Sequence, residues 1–241
     1  MATMTKRVNL IVGLGNKIYP GTRHSVGMAF VEDMAKRLSF SPWQRDKACL
    51  AHIALSPAKP NLVLMQPTTL MNLNGQSVIK TCRKYDVASP RHVFLVHDDV
   101  ETPLGKWTLR FAGGARGHNG IRSCVASLQS KDVHMVRLGV GRPHNNNDAE
   151  GLAEWVLQKF TPKELQVLKE ERVFEDIMEA ILKQIEMEEN EGENEGENKM
   201  QTKTKTKSKS KTKQPQQRLP SAPGREEELK EADKPDEEMM R

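Results

Sequence analysis

What most narrows the fold of this chain is a series of short apolar runs, each stopped by a turn, with helical stripes between them. Val8–Leu14 is an apolar run closed by Gly15 and Asn16, which reads as a central strand. Ser25–Leu38 then carries Val26, Phe30, Met34 and Leu38 four residues apart, one face of a helix. Leu50–Leu55 and Leu62–Met65 read as short strands around a Pro-containing turn, and Val78–Tyr85 as a helix. Val93–Val96 is a strand running into His97, Asp98 and Asp99. Lys106–Phe111 alternates as a strand does, a glycine loop at 113–117 leads into a helix over Asn119–Leu128, and Val136–Val140 is a further strand. Glu164–Glu186 sets Leu165, Leu168, Val173, Ile177, Ile181 and Ile185 on one amphipathic helix. Strands and helices that interleave in this way predict a layered α/β/α domain.

The 241 residues are not uniform. Residues 1–187 hold nearly all the aliphatic runs and fit one α/β domain with a sizeable core. Residues 188–241 combine Glu/Asn/Gly, Lys/Thr/Ser and Pro/Glu/Lys-rich stretches that offer almost nothing to bury, so they are expected to be disordered. The tail is close to neutral, and residues 1–187 carry a net charge of +7, which suits a polyanionic partner and equally suits a merely soluble domain. Cys49, Cys82 and Cys124 are odd in number and widely spaced, which argues against a disulfide framework or structural zinc and for a reducing compartment. No run of 18 apolar residues is present, so no membrane span is expected. The first strand begins within about eight residues of Met1, leaving no room for a secretory signal and very little for a mitochondrial presequence, so the cytosol is expected.

Against this background five polar side chains stand out: Asn16, His24, Asn72, Asp98 and Asn119 sit in apolar or glycine-rich runs. A buried carboxylate or amide costs free energy unless it is paired or used. In open α/β sheets ligands collect beyond the carboxyl ends of strands, where Asn16 and Asp98 are expected. Singly, each has a plain alternative. His24 could cap a helix, Asp98 and Asp99 could be turn residues, Asn72 and Asn74 could hold a turn, and Asn119 could be a helix N-cap. Together they describe one site. His24 is the natural general base, with Asp98 holding its tautomer and stabilising the imidazolium. Neutral amides would position water and donate to a developing oxyanion. No GxSxG elbow is present, so water is the expected nucleophile. Gly13 and Gly15 open a dinucleotide-type fingerprint, but Ile18 stands where its third glycine should be. His97, Asp98, Asp99 and His118 lack metal-site spacing, so no metal is expected.

The runs GLGN (13–16), TRHSVG (22–27), TTLMNLNG (68–75), HDD (97–99), PLGK (103–106) and GGARGHNG (113–120) together resemble the bacterial-type peptidyl-tRNA hydrolase family, in the wording of its animal branch. The resemblance covers about residues 7–187. It implies a single α/β domain with a twisted mixed β-sheet and an esterase that frees tRNA from peptidyl-tRNA without metal or cofactor. His24 matches the family's base, Asp98 its orienting aspartate, and Asn16 the amide beside the attacking water. Asn72 and Asn119 match amides that bind the peptide backbone and terminal adenosine, Met71 and Tyr19 match residues of the peptide groove, and Arg110 and Arg137 match a basic pair on tRNA phosphate. Peptidyl-tRNA is the expected partner, a monomer the expected state, and the alternating Lys/Thr/Ser stretch of the tail a further contact for RNA or the ribosome.

The chain also departs from the family's wording. Lys17 and Ile18 replace the usual Pro-Gly after the first asparagine in a loop about two residues shorter, Ser25 replaces an asparagine, and Arg116 replaces a glycine or histidine. Two other functions remain open on the sequence. One is a noncatalytic RNA-binding module on this fold, which the intact His24, Asp98 and three asparagines disfavour. The other is a cofactor-free hydrolase acting on a different acyl ester.

Overall fold

A computed structural model describes residues 7–143, 148–170 and 172–207, the last sixteen as backbone only. The chain divides into two units, Met1–Gly196 and Glu197–Arg241, and the second contributes only the end of a helix to the described residues. Within the first unit a seven-stranded sheet is built from β1 (Asn9–Gly13), β2 (Gln44–Asp46), β3 (Ala51–Leu55), β4 (Leu62–Pro67), β5 (Val93–Asp99), β6 (Trp107–Phe111) and β7 (His134–Gly139). Its order is β2-β3-β4-β1-β5-β7-β6. The four inner strands β4, β1, β5 and β7 run parallel, while β2, β3 and β6 are antiparallel additions at the two sides. Every residue of the four parallel strands is buried. That explains why their sequences read as near-continuous apolar runs, whereas β6 alternates.

Alternate residues of β1 and β5 serve opposite layers. Ile11, Phe94 and Val96 join Val26 and Phe30 of α1 (Val26–Arg37) with Ile177 and Ile181 of the C-terminal helix. Leu10, Val12 and Leu95 join Val78 of α2 (Asn74–Lys84) and Ile121 and Cys124 of α3 (Asn119–Leu128) on the other face. The result is the expected three-layer α/β/α arrangement on a mixed sheet. β1 hands the chain to α1 on one face, while β5 leads through β6 to α3 on the other, so a crevice opens beyond the carboxyl ends of these neighbouring strands. α1 presses unusually close there: a Cβ on Gly27 would lie 2.2 Å from the Val96 carbonyl oxygen, and one on Gly13 2.3 Å from that of Gly27.

The structure revises several expected elements. β5 continues three residues further than its apolar run, so Asp98 is the penultimate residue of a strand and not part of the loop after it. The strand β2 and a helix α4 (Ala149–Leu157) are additions to the expected elements. The single helix expected over 164–186 is two, α5 (Pro162–Glu170) and α6 (Val173–Lys207), with Arg172 in the left-handed region (φ 49°) at the break. α6 also carries order past residue 187. His134 Nε2 lies 2.9 Å from a Glu188 carboxylate oxygen, and Asn61 Nδ2 donates to Glu189 at 2.8 Å. The expected boundary at 187 therefore falls inside a docked helix, because two of its glutamates have partners that composition does not reveal. Residues 208–241 of the expected disordered tail lie outside the described residues. No helix among the described residues is long and apolar enough to cross a membrane.

Candidate active site

Asp98, at the end of β5, is the centre of the crevice. Its Oδ1 lies 3.0 Å from His24 Nδ1 and 3.0 Å from His118 Nε2, and its Oδ2 lies 3.1 Å from His24 Nδ1. His24 comes from a single 3-10 turn, Arg23–Ser25, that opens α1 in one helical layer. His118 is the N-cap of α3 in the other layer. The carboxylate is 4% exposed. Burial alone would raise its pKa, but the imidazoles of His118 and His24 that hydrogen-bond to it outweigh that cost. They hold the group well below the ordinary carboxylate range.

The bonds around the two imidazoles assign their protons. His118 Nδ1 accepts the Ile121 N–H at 3.2 Å as the α3 cap, so it carries a lone pair, and Nε2–H donates to Asp98. His24 Nδ1 faces the same carboxylate and so donates its proton there, leaving the lone pair on Nε2 of a ring that lines the crevice. Burial, and next the neighbouring His118, push His97 down to about 3, so it stays neutral and donates from Nδ1 to the Asp98 carbonyl at 2.7 Å. The His24 and His118 ring centroids are 4.9 Å apart.

Around this group lies a cavity of about 840 Å³. Asn16, Tyr19, Met71, Asn72, Asn119 and Arg137 all line it with His24 and Asp98, so eight of the nine expected site residues converge. Asn16, three residues beyond the end of β1, accepts the Ile18 N–H on Oδ1, which leaves its Nδ2 donor for the cavity. Its backbone is stapled by Ser25, whose Oγ accepts the Asn16 N–H at 3.1 Å. Met71 is buried in a 3-10 turn, whereas Asn72 beside it and Asn119 opposite are exposed at the rim. Asn74, by contrast, is fully buried. It accepts from Gly15 N and donates to the Thr69 and Leu70 carbonyls, so it ties the end of β1 to the Met71 loop.

The ninth residue, Arg110, is exposed on β6 and does not line the cavity. Thr108 pairs with Arg137 across β6 and β7, so Arg110, two residues on, shares that face of the sheet with Arg137. Arg137 itself is buried; Nη2 donates to the Gly114 carbonyl at 3.2 Å, and its Nε finds no partner. Three features of the site go beyond the sequence expectations. His118, weighed there only as a metal ligand, sits in the same glycine-rich run as Asn119 and takes the N-cap position offered to that residue. Arg116 lines the cavity from the glycine loop, 3.5 Å from Asp99. α4 forms an apolar wall through Leu152, Val156 and Leu157, whose helical spacing is the signal that could have found it.

His24, Asp98 and His118 also offer three ligand atoms within 4.8 Å of one another, enough in number to hold a metal ion. An ion there would have to displace both hydrogen bonds to Asp98, and His118 could bind it only through the nitrogen that now faces the carboxylate, because its other nitrogen is taken by Ile121 N–H.

Comparison with known proteins places this geometry in context. The family model described as peptidyl-tRNA hydrolase matches residues 10–209. A mouse protein named "Probable peptidyl-tRNA hydrolase" is 44% identical over 161 residues, covering 66% of this chain and 77% of its own. The peptidyl-tRNA hydrolase of Chloroflexus aurantiacus is 37% identical over 182 residues, covering 74% and 90%. Among solved structures, the peptidyl-tRNA hydrolase from Acinetobacter baumannii superposes with a TM-score of 0.64 at 27% identity, covering 76% of this chain and 94% of its own. A match that runs from β1 to the end of α6, over a sheet that superposes on a solved relative, makes the chain a member of the peptidyl-tRNA hydrolase family.

Proposed function

We propose that this protein hydrolyses the ester joining a peptide to the 3′ end of tRNA, with His24 as general base. The observation that carries the reading is the pairing of His24 Nδ1 with a buried, ionised Asp98, which leaves Nε2 facing the crevice as a proton acceptor. Nε2 takes a proton from water as its oxygen attacks the acyl carbonyl. The positive charge that develops on the ring lies against Asp98. An amide donor of Asn16 steadies the oxyanion, and collapse returns the proton to the departing ribose oxygen, giving free tRNA and a peptide acid. Asn72, Asn119, Met71 and Tyr19 hold the peptide and the terminal nucleotide, while Arg137, with Arg110 beyond the rim, meets tRNA phosphate.

This chemistry asks for no metal. The alternating Lys/Thr/Ser stretch around 203–213 adds sequence-independent RNA affinity, and the enzyme works as a cytosolic monomer. The test is peptide release from a peptidyl-tRNA with chelator present. His24→Ala is expected to lose at least about a hundredfold in turnover, and near wild-type release by the folded variant refutes His24 as base.

A further inference from the structure

Arg23 immediately precedes His24, yet it does not line the crevice and is 2% exposed. A guanidinium so buried must be fully partnered. Its Nε and Nη2 meet Glu164 at 3.2, 2.8 and 2.9 Å, and Nη1 donates to the Trp155 and Gln158 carbonyls at 3.2 and 3.4 Å. Its Cζ lies 3.5 Å from the centroid of the Trp155 ring. The two carbonyls belong to the last turn and C-cap of α4, where a cation is favoured.

The other partners are fixed in turn. Glu164 Oε2 accepts the Thr161 N–H at 2.7 Å while Thr161 Oγ1 accepts the Glu164 N–H at 3.3 Å, a capping box opening α5. Trp155 Nε1 donates to the Gly141 carbonyl at 2.8 Å. The backbone repeats the connection: Arg23 N donates to Gln158 O, Phe160 N donates to Gly21 O, and Thr22 bridges to Lys159. α4 thus puts Leu152, Val156 and Leu157 along the crevice while its carboxyl end is bolted to the residue next to the base.

We propose that Arg23 is a positioning residue for the reaction. It joins the carboxyl end of α4 to the turn that carries His24, so the apolar wall of the crevice and the base keep a fixed separation around the acyl group. The inference rests on the reading of the crevice as an ester-hydrolysing site. The geometry requires arginine, since the two-pronged contact with Glu164, two carbonyl bonds and a stacked face use the planar fork that lysine lacks. Loosening the clamp should weaken binding of the acyl portion without touching the Asp98–His24 pair, so KM rises while kcat and its pH profile hold.

The experiment uses the full chain with Glu164→Gln, which keeps size but removes the charge, with Trp155→Leu, and with Trp155→Phe, which restores an aromatic face. Steady-state hydrolysis of an N-acylated aminoacyl-tRNA with an apolar acyl residue is measured across pH, alongside hydrogen exchange of the folded proteins. Glu164→Gln and Trp155→Leu should raise KM roughly three- to tenfold with kcat within about twofold, Trp155→Phe should recover most of the loss, and α4 amides should exchange faster while α3 amides do not. A purely structural role would lower the melting temperature and leave KM and α4 exchange unchanged, and that result overturns the proposal. Should the wild-type protein release no peptide, the reading of the site fails instead, and α4 exchange still decides whether the clamp exists.

Discussion

Asp98→Asn separates the shape of the site from its charge, because the two side chains match in size and differ in what they can accept. The carboxylate now accepts two N–H donors, from His24 Nδ1 and His118 Nε2, both 3.0 Å from one oxygen. Asparagine offers one acceptor oxygen and one NH₂. His118 cannot adapt, because its Nδ1 is committed to the Ile121 N–H, so its Nε2–H must take the asparagine oxygen. The NH₂ then faces His24, whose Nδ1 must accept, and the ring proton moves to Nε2. The base loses its lone pair on the crevice side. Forcing the productive tautomer sets donor against donor and also removes the anion beside the developing imidazolium. Unit charges a few ångströms apart at an effective dielectric constant of about 20 interact by about 4 kcal/mol, which is roughly a thousandfold in rate.

Single-turnover peptide release by the folded variant should therefore fall by about that factor while substrate binding holds. The variant should fold, because a buried charge has been replaced by a neutral group of the same size. Asp98→Asn with more than a tenth of wild-type turnover would refute the proton assignment and the electrostatic role together.

The same geometry has two further consequences. His97 binds its proton only near pH 3 when folded, against about 6.5 unfolded, so between these values the unfolded chain holds the extra proton and stability falls as pH drops. Lowering pH from about 6.5 to 5 should cost on the order of 1–2 kcal/mol through this residue, seen as lower urea midpoints; His97→Gln should remove that share, and an unaltered pH slope would contradict it. Gly27→Ala places a Cβ against the Val96 carbonyl, so α1 must retreat from β5. The variant should lose about 1–3 kcal/mol of stability and, where still folded, more than tenfold in turnover as His24 leaves Asp98. Unchanged activity would show that this close approach does not set the pair.

Much of this arrangement is legible in the chain itself, for physical reasons. The inner parallel strands must be apolar on both faces, so β1, β4, β5 and β7 announce themselves, and a polar residue at their carboxyl ends is conspicuous. That makes Asn16 and Asp98 readable. β2 is three residues of polar edge strand with no apolar pattern to find. The break between α5 and α6 rests on one left-handed arginine that no glycine or proline marks. His118 is hidden because its role depends on which layer α3 packs in, and Arg23 because its partners lie more than 130 residues away. Arg110 enters the expected site by resemblance alone, and its edge-strand position sets it outside the crevice lining.

Asp98 takes one imidazole from each helical layer, so it is a point in the crevice where all three layers must be seated at once. A partly assembled molecule, with the sheet formed and either α1 or α3 undocked, would keep most of its secondary structure and have no working base. Catalytic turnover would then report complete assembly more stringently than circular dichroism does. During refolding it should recover last, behind every signal that follows one layer alone.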